Sequence, residues 1–227
     1  MKLITFSGPP SSGKTSVILK FCENLKKQNF KICVIKFDCL SANEEKIFKN
    51  KGITIKTGLS GNLCPDHYFV SNIEDCVKWA LNNSYDFLIT ESAGLCSRCS
   101  PYIKNIKAIC VIDNLMGINA PQKIGPMLKS ADIVVITKGD VVSQAEREIF
   151  AFKTRQSNPN AIILNINGIT GQGSEELTSL LIDEKEIFSL DGKELRVSMP
   201  AALCSYCLGE TKIDKEFHKG NVKRMNL

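Results

Sequence analysis

No stretch of the 227-residue chain approaches the roughly 18 consecutive apolar residues that a membrane-crossing helix needs. Its start, MKLITFSG, holds one lysine and a short apolar run that enters a glycine loop, which is not the layout of a secretory signal. Internal repeats and low-complexity segments are missing as well. There is also no dense block of one charge: 29 basic against 24 acidic residues give a formal +5, spread thinly except in KIDKEFHKGNVKR near the end. A nucleic-acid surface needs a concentrated basic face. Neither nucleic acid nor membrane is therefore expected as a partner, and the expected location is the cytoplasm.

Apolar residues at 43% and charged residues at 23% are the profile of an ordinary globular protein rather than a disordered one. The length suits one large α/β domain with a small appendage. The ten cysteines should stay reduced in a cytoplasmic protein, which leaves metal binding, redox chemistry or simple burial as their uses. Cys22, Cys33, Cys76 and Cys110 sit among apolar neighbours and read as small buried hydrophobes.

Periodicity and breakers predict strands at 2–6, 31–37, 86–91, 106–113, 132–138 and 161–166, with a short one in GITIKTG. Helices are predicted at 14–28, 42–51, 72–82, 121–130, 143–157 and 174–182, and a loop at 58–70. Strands of continuous Ile, Val, Leu and Phe that alternate with helices imply an α/β fold in three layers, with a mostly parallel sheet covered on both faces. The pattern stops near 185. Residues 1–185 are expected to form the main domain, and 186–227 a tail with at most one short strand at 194–199, docked on the domain or on a partner subunit.

GPPSSGKTS fits G-x-x-x-x-G-K-[ST] from Gly8 to Thr15, with a strand before it and a helix after it, as a phosphate-binding P-loop requires. The backbone of Gly8, Pro9, Pro10, Ser11, Ser12, Gly13, Lys14, Thr15 and Ser16 is expected to cradle phosphates, with the helix N-terminus adding partial positive charge. Lys14 would reach the β and γ phosphates, and the Thr15 hydroxyl would hold Mg²⁺. Ligands of open α/β sheets collect beyond the C-terminal strand ends, where Asp38, Glu91, Asp113 and TKGD (137–140) also fall.

ITKGD resembles the [NT]KxD signature of guanine-nucleotide-binding proteins. By that resemblance Asp140 accepts hydrogen bonds from guanine N1 and N2, Lys138 lies along the base, and Thr137 belongs to the same loop. The P-loop, Asp38, ESAG, VID, ITKGD and NINGITGQGSEEL occur in the order seen in the nickel-insertion GTPases of urease and hydrogenase maturation, which are SIMIBI-class P-loop proteins of the UreG/HypB-like kind. The resemblance covers about residues 2–183. It implies GTP and Mg²⁺ as cofactors, with Lys14, Asp38 and Glu91 as the catalytic group, Thr15 and Glu91 on the Mg²⁺ side, and Asn165 near the guanine. It also implies a homodimer that serves a client metalloenzyme or its maturation proteins. TGLSGNLCPDH is similar to the family's Cys-Pro-His or Gly-Cys-His segment, which binds metal between subunits. Here the histidine comes one residue later, so that Cys64 and His67 are spaced as CxxH. The family pattern has no counterpart of the CSYCLGE tail.

Two CxxC pairs remain, Cys96 with Cys99 just past Glu91 and Cys204 with Cys207 in the tail. Two intervening residues let both thiolates face one metal, which suits a transition metal such as zinc or nickel, or an iron–sulfur cluster. More than a hundred residues separate the pairs, so a four-thiolate site would need tail docking or a second subunit. The expectation is that nucleotide state moves Glu91 and the segment after it, and thereby alters the metal site. The leading functional expectation is a slow GTPase for metallocentre assembly, in which only Arg98 suggests itself as an arginine finger supplied in trans. The alternative is an ATP-driven electron carrier with an iron–sulfur cluster shared between subunits. TKGD and Pro9 speak against it, because proteins of that kind usually carry an extra lysine early in the loop. A third alternative is a scaffold that binds nucleotide and client without moving metal.

Overall fold

A computed structural model describes residues 1–40, 44–96, 98–198, 210–218 and 222–227. Seven strands, β1 (Lys2–Ser7), β2 (Ile32–Asp38), β3 (Thr54–Leu59), β4 (Phe87–Ser92), β5 (Lys107–Asp113), β6 (Ile133–Thr137) and β7 (Ile162–Asn165), form one sheet in the order β3-β2-β4-β1-β5-β6-β7. Every pairing is parallel. The helices are α1 (Lys14–Lys27), α2 (Glu45–Asn50), α3 (Pro65–Asn82), α4 (Ala120–Lys123), α5 (Pro126–Lys129), α6 (Gln144–Ser157) and α7 (Ser174–Leu181).

Strand alternation divides the core into layers. Ile4 and Phe6 of β1, Val34 of β2 and Ile89 of β4 pack with Val17, Phe21 and Leu25 of α1 and Leu177 of α7. The intervening residues Leu3, Ile35, Phe37 and Leu88 face the other way, against Phe69, Val70, Ile73 and Val77 of α3. A third cluster fills the same side farther along the sheet, where Cys110, Ile112 and Ile136 meet Met127, Leu128 and Phe150. The three-layer parallel α/β architecture read from the sequence is thus the one observed. Cys22, Cys33, Cys76 and Cys110 are all fully buried within it.

Three boundaries differ from expectation. The loop expected at 58–70 shrinks to 60–64, because β3 runs to Leu59 and α3 begins at Pro65. Cys64 is extended (φ −61°, ψ 129°), the conformation favoured before proline, and Pro65 sits in the first turn, where a missing N–H costs nothing. Thirteen of the helix's residues are buried, among them the polar Asp66, His67, Ser71 and Asn72 of its first turns, so its start does not follow an apolar stripe. The helix expected at 121–130 is split into α4 and α5, because Gly125 takes φ 70° immediately before Pro126. The strand expected at 194–199 reduces to two antiparallel bridges, Ile103 with Leu195 and Glu194 with Lys212.

Beyond 185 the described residues pack closely on the sheet's α3 side. Ile187, Leu190, Leu195 and Ile213 are buried in the same cluster as α3. Asn72 of α3 donates to the carbonyl of Lys223 at 3.0 Å and accepts from Met225 N–H at 2.8 Å. Arg196 is the main polar anchor. It forks onto both carboxylate oxygens of Asp132 at 2.9 and 2.6 Å and also donates to the carbonyls of Ile103, Ser130 and Ile106. Among the described residues, no helix is long and apolar enough to cross a membrane.

Removing Arg196 would take a charged donor away from three carbonyls and from a half-buried carboxylate. Arg196→Ala is expected to lower unfolding free energy by about 3 kcal/mol. Lysine should restore less than half of it, because a single ammonium cannot form the planar fork. Denaturant midpoints of the three proteins check this, and equal midpoints would show that the anchor contributes nothing.

Candidate functional site

The phosphate loop leaves β1 at Ser7 and enters α1 at Lys14, so the N-terminus of α1 points at whatever the loop encloses. Gly8 has φ 150°, and a Cβ there would lie 2.0 Å from the Val111 carbonyl oxygen. Gly94, just past β4, has φ 64°, and a Cβ there would lie 1.9 Å from the carbonyl oxygen of Gly8. The backbones after β1 and β4 therefore touch, and only glycine permits it. Lys14 is buried and donates at 2.8 Å to the carbonyls of both Gly8 and Pro9. Burial lowers its pKa, while Glu91 acts in the opposite direction. An ammonium folded onto loop carbonyls in this way is positioned to turn onto an anion.

Beside it lies a cavity of about 420 Å³, whose lining includes Ser11, Gly13, Thr15, Asp38, Glu44 and Glu91. Thr15 Oγ1 donates to Glu91 Oε1 at 2.8 Å. Glu91 is 2% exposed, and its Oε2 has no hydrogen-bond partner among the described residues. Burial raises its pKa, against the pull of Lys36 and Lys14. Asp38, at the end of β2, accepts from Cys39 N–H at 2.7 Å through Oδ1. A hydroxyl and two carboxylates at one edge form an all-oxygen donor set, the kind Mg²⁺ takes. The orphaned Oε2 fits a magnesium-bound water or the ion's own shell.

The TKGD segment is joined directly to the phosphate loop. Thr137 Oγ1 donates to the Ser12 carbonyl at 2.6 Å, and Lys138 Nζ donates to the Ser11 carbonyl at 2.7 Å while lying 3.3 Å from Asp113 Oδ2. Lys138 takes a left-handed φ of 55°, which turns the chain so that Gly139 and Asp140 form the next turn. Asp140, Asn165, Arg147, Asn167, Gln172 and Gly173 line a cavity of about 260 Å³. Ser16 lies at the first turn of α1, in the wall of the phosphate cavity.

On the opposite face of the sheet the cysteines assemble in a combination that neither motif foretold. Ligand atoms of Cys64, Asp66 and Cys99 all lie within 4.8 Å of one another. The segment after β4 thus brings its second cysteine to the N-terminus of α3, and the CxxH and CxxC segments meet in one cluster. Hydrogen bonding from the Cys99 thiol holds the Cys64 thiol well below its ordinary pKa, with His67 and the backbone N–H groups of Asp66 and His67 assisting against burial. Cys99 is correspondingly held up as the thiol, by Cys64 first, then burial, then Cys96. Cys96, half-buried, accepts from Arg98 N–H at 3.4 Å. Cys204 and Cys207 lie outside the described residues.

Four residues of this edge escaped the sequence. Asp66 is fully buried, accepts from the Ser92 hydroxyl, and keeps Oδ2 without a partner among the described residues. The only hint was its place in Cys-Pro-Asp-His. Ser92, one residue past Glu91, carried no signal. Lys36 and Glu44 join the carboxylate cluster from β2 and from the residue before α2. A lysine in an apolar strand run was the available clue.

Comparison with known proteins matches the family described as "CobW/HypB/UreG, nucleotide-binding domain" over residues 2–165. A Methanocaldococcus jannaschii protein described as "Uncharacterized protein MJ0120" is 45% identical over 226 residues, covering all of this chain and 97% of that protein. The urease accessory protein UreG of Yersinia pestis is 30% identical over 194 residues, 79% of this chain and 87% of that protein. Among solved structures, HypB from Helicobacter pylori in complex with nickel superposes with TM-score 0.64 at 21% identity, covering 83% of this chain and 91% of that one. The hydrogenase maturation factor HypB from Archaeoglobus fulgidus gives TM-score 0.62 at 20% identity, with 79% and 89% covered.

The buried Asp66 makes a pH prediction. Burial first, and the Cys64 thiolate second, push its carboxyl up to about 7 in the folded chain, against roughly 3.9 when unfolded. A raised folded pKa gives stability that is full below the unfolded value and is lost as pH rises through the folded one. Cys64, shifted the other way, contributes with the opposite sign, so the informative quantity is a difference. In metal-free protein, Asp66→Asn should gain on the native chain by roughly 2–4 kcal/mol as pH rises from about 4 to about 7. A gap that stays flat across that window in denaturant titrations would rule out a buried charge at Asp66.

Proposed function

The chain belongs to the CobW/HypB/UreG nucleotide-binding family, and on that premise we propose that it is a GTP-binding and GTP-hydrolysing metallocentre-assembly protein whose nucleotide state is coupled to a cysteine-based metal site. The observation that carries the reading is the adjacency of Glu91 and Ser92 in β4. Glu91 accepts from Thr15 in the phosphate cavity, while Ser92 donates to Asp66 in the thiol cluster. One strand end therefore touches both sites.

In this reading the backbone from Gly8 to Ser16 wraps the phosphates, Lys14 turns from the Gly8 and Pro9 carbonyls onto the β and γ phosphates, and Asp140 receives the guanine N1 and N2 protons. Adenine offers no such pair of donors, so the carboxylate would be left unpaired beside it. Asn165 and Thr137 complete the base loop. Thr15, Asp38 and Glu91 would hold Mg²⁺, which would supply positive charge to the transferring phosphoryl group. Asp38 and Glu91 orient the attacking water, and turnover is slow without a partner-supplied arginine.

The metal is cargo. Cys64, Cys99 and Asp66 form its inner donor set, with Cys96 and His67 at hand. Sulfur-rich ligation suits Zn²⁺ or Ni²⁺. Cys204 and Cys207 are proposed as further ligands on their CxxC spacing, in the same chain or across a homodimer. The similarity to a urease accessory protein and to a HypB crystallised with nickel supports delivery to a client metalloenzyme or its maturation proteins, in the cytoplasm.

Two measurements test the reading. GTP should bind in the presence of Mg²⁺ and resist displacement by equimolar ATP, and Asp140→Ala should weaken it by a factor of a hundred or more, since two hydrogen bonds to a charged acceptor are lost. ATP displacing GTP at equal concentration, together with an iron–sulfur absorption spectrum after anaerobic purification, would favour the electron carrier instead. Separately, the metal-free native chain should take up about one equivalent of Zn²⁺ or Ni²⁺ per site, and Cys64→Ser or Cys99→Ser should each cost at least tenfold in affinity. Uptake unaffected by both substitutions would remove the cluster from the reading.

A further inference from the structure

Lys36 has no place in the scheme above, yet it sits at the centre of the carboxylate cluster. The parallel register of β2 and β4 sets Lys36 directly opposite Glu91, so their side chains leave the sheet together on the α1 face. Lys36 is 4% exposed. Its Nζ lies 3.0 Å from Glu44, 3.5 Å from Glu91 and 3.8 Å from Asp38. It also donates to Thr15 Oγ1 at 3.4 Å. Apart from Glu44, these are the groups assigned to Mg²⁺. Thr15 Oγ1 gives its proton to Glu91, so its lone pairs are what remains for either a cation or the Lys36 ammonium.

A buried ammonium needs ion partners, and Lys36 has three carboxylates within 3.8 Å of Nζ. Three carboxylates face one wall of the cavity, and without Lys36 the nearest positive charge left would be Lys14, which is directed at the phosphate loop's own carbonyls.

We propose that Lys36 is a resident counter-ion that pairs with the magnesium-side oxygens and competes with Mg²⁺ for them, so that Mg²⁺ enters only together with the added negative charge of a nucleoside triphosphate. The inference rests on the nucleotide-binding reading and adds a residue that sets its metal dependence. It also makes free Mg²⁺ a poor ligand for the nucleotide-free protein, because a unit charge about 5 Å from a dication shifts an equilibrium by about tenfold even with the screening of bulk water.

The test titrates Mg²⁺ against binding of a non-hydrolysable GTP analogue to the full chain, and measures thermal melting without nucleotide in EDTA and in Mg²⁺. For Lys36→Met the half-saturating Mg²⁺ concentration should fall about tenfold or more. The variant should also melt below the native chain in EDTA and recover in Mg²⁺ alone, whereas native melting should hardly respond to Mg²⁺. Lys36→Arg, which keeps the charge, should behave as native. Where the methionine variant does not fold in EDTA, Lys36→Gln is titrated in its place. A half-saturation in either neutral variant that equals or exceeds the native value overturns the proposal, and so does an arginine variant that behaves like methionine. Failure of the native chain to bind the analogue at any Mg²⁺ concentration would instead defeat the nucleotide reading. The melting comparison would still decide the role of Lys36.

Discussion

A carboxylate buried at the end of β4 dictates the composition of everything around it. Glu91 belongs to a strand paired on both sides, with Phe6 of β1 and Lys36 of β2 opposite it in register. Solvent barely reaches it there, and an uncompensated charge in such a place is strongly unfavourable. The compensation comes from three directions: a hydroxyl from the first turn of α1, an ammonium from β2 and a second ammonium from the phosphate loop. None of the three can move without changing the state of Glu91. The phosphate loop, the end of β2 and the end of β4 accordingly behave as one electrostatic unit.

Strand geometry then carries that unit to the other face of the sheet. Successive residues of a strand point to opposite sides, so Glu91 faces α1 while Ser92 faces α3. The Ser92 hydroxyl meets Asp66 in the first turn of α3, where Cys64 and Cys99 also converge. A displacement of the β4 end toward a phosphate would be felt by Asp66 as a change in a buried hydrogen bond, with no intervening chain to absorb it. Because Gly94 lies in backbone contact with Gly8, the segment that leads to Cys96 and Cys99 starts from the same fixed point.

Much of this was legible in the residues. The G-x-x-x-x-G-K-T run, the strand before it and the helix after it named the phosphate loop, and the Ile/Val/Leu strands named the parallel sheet. TKGD was recognised by type, and the Thr137–Ser12 bond shows what its first residue does for the fold. What escaped depends on register and on long-range packing. That Lys36 opposes Glu91 follows from a β2–β4 pairing that skips over β3, which local periodicity cannot reveal. The start of α3 was hidden because its first turns bury polar residues, Asp66, His67, Ser71 and Asn72, and Cys-Pro-Asp-His drew attention as a ligand set rather than as a helix N-terminus. The partnership of Cys64 with Cys99 needed the path from β4 to β5 as well, and each motif, taken alone, pointed to its own nearest neighbour.

The two donor sets on either side of β4 differ in kind, and the difference separates cations by chemistry without any need for distance. On the α1 face stand a hydroxyl and carboxylates, hard oxygen donors that favour an ion keeping much of its water. On the α3 face stand two thiols with one carboxylate, a set that prefers softer ions. One of those thiols is held ready as thiolate by a helix N-terminus and its partner's S–H, while the oxygen set already carries an ammonium among its members. A divalent ion of the softer kind that entered the oxygen set would meet that positive charge and gain no sulfur. A hard ion that entered the thiol set would find a single carboxylate, itself inclined to hold its proton. On the proposed reading, the pairing of a hard and a soft site across one strand would let a change at the first reach the second while their occupants stay distinct.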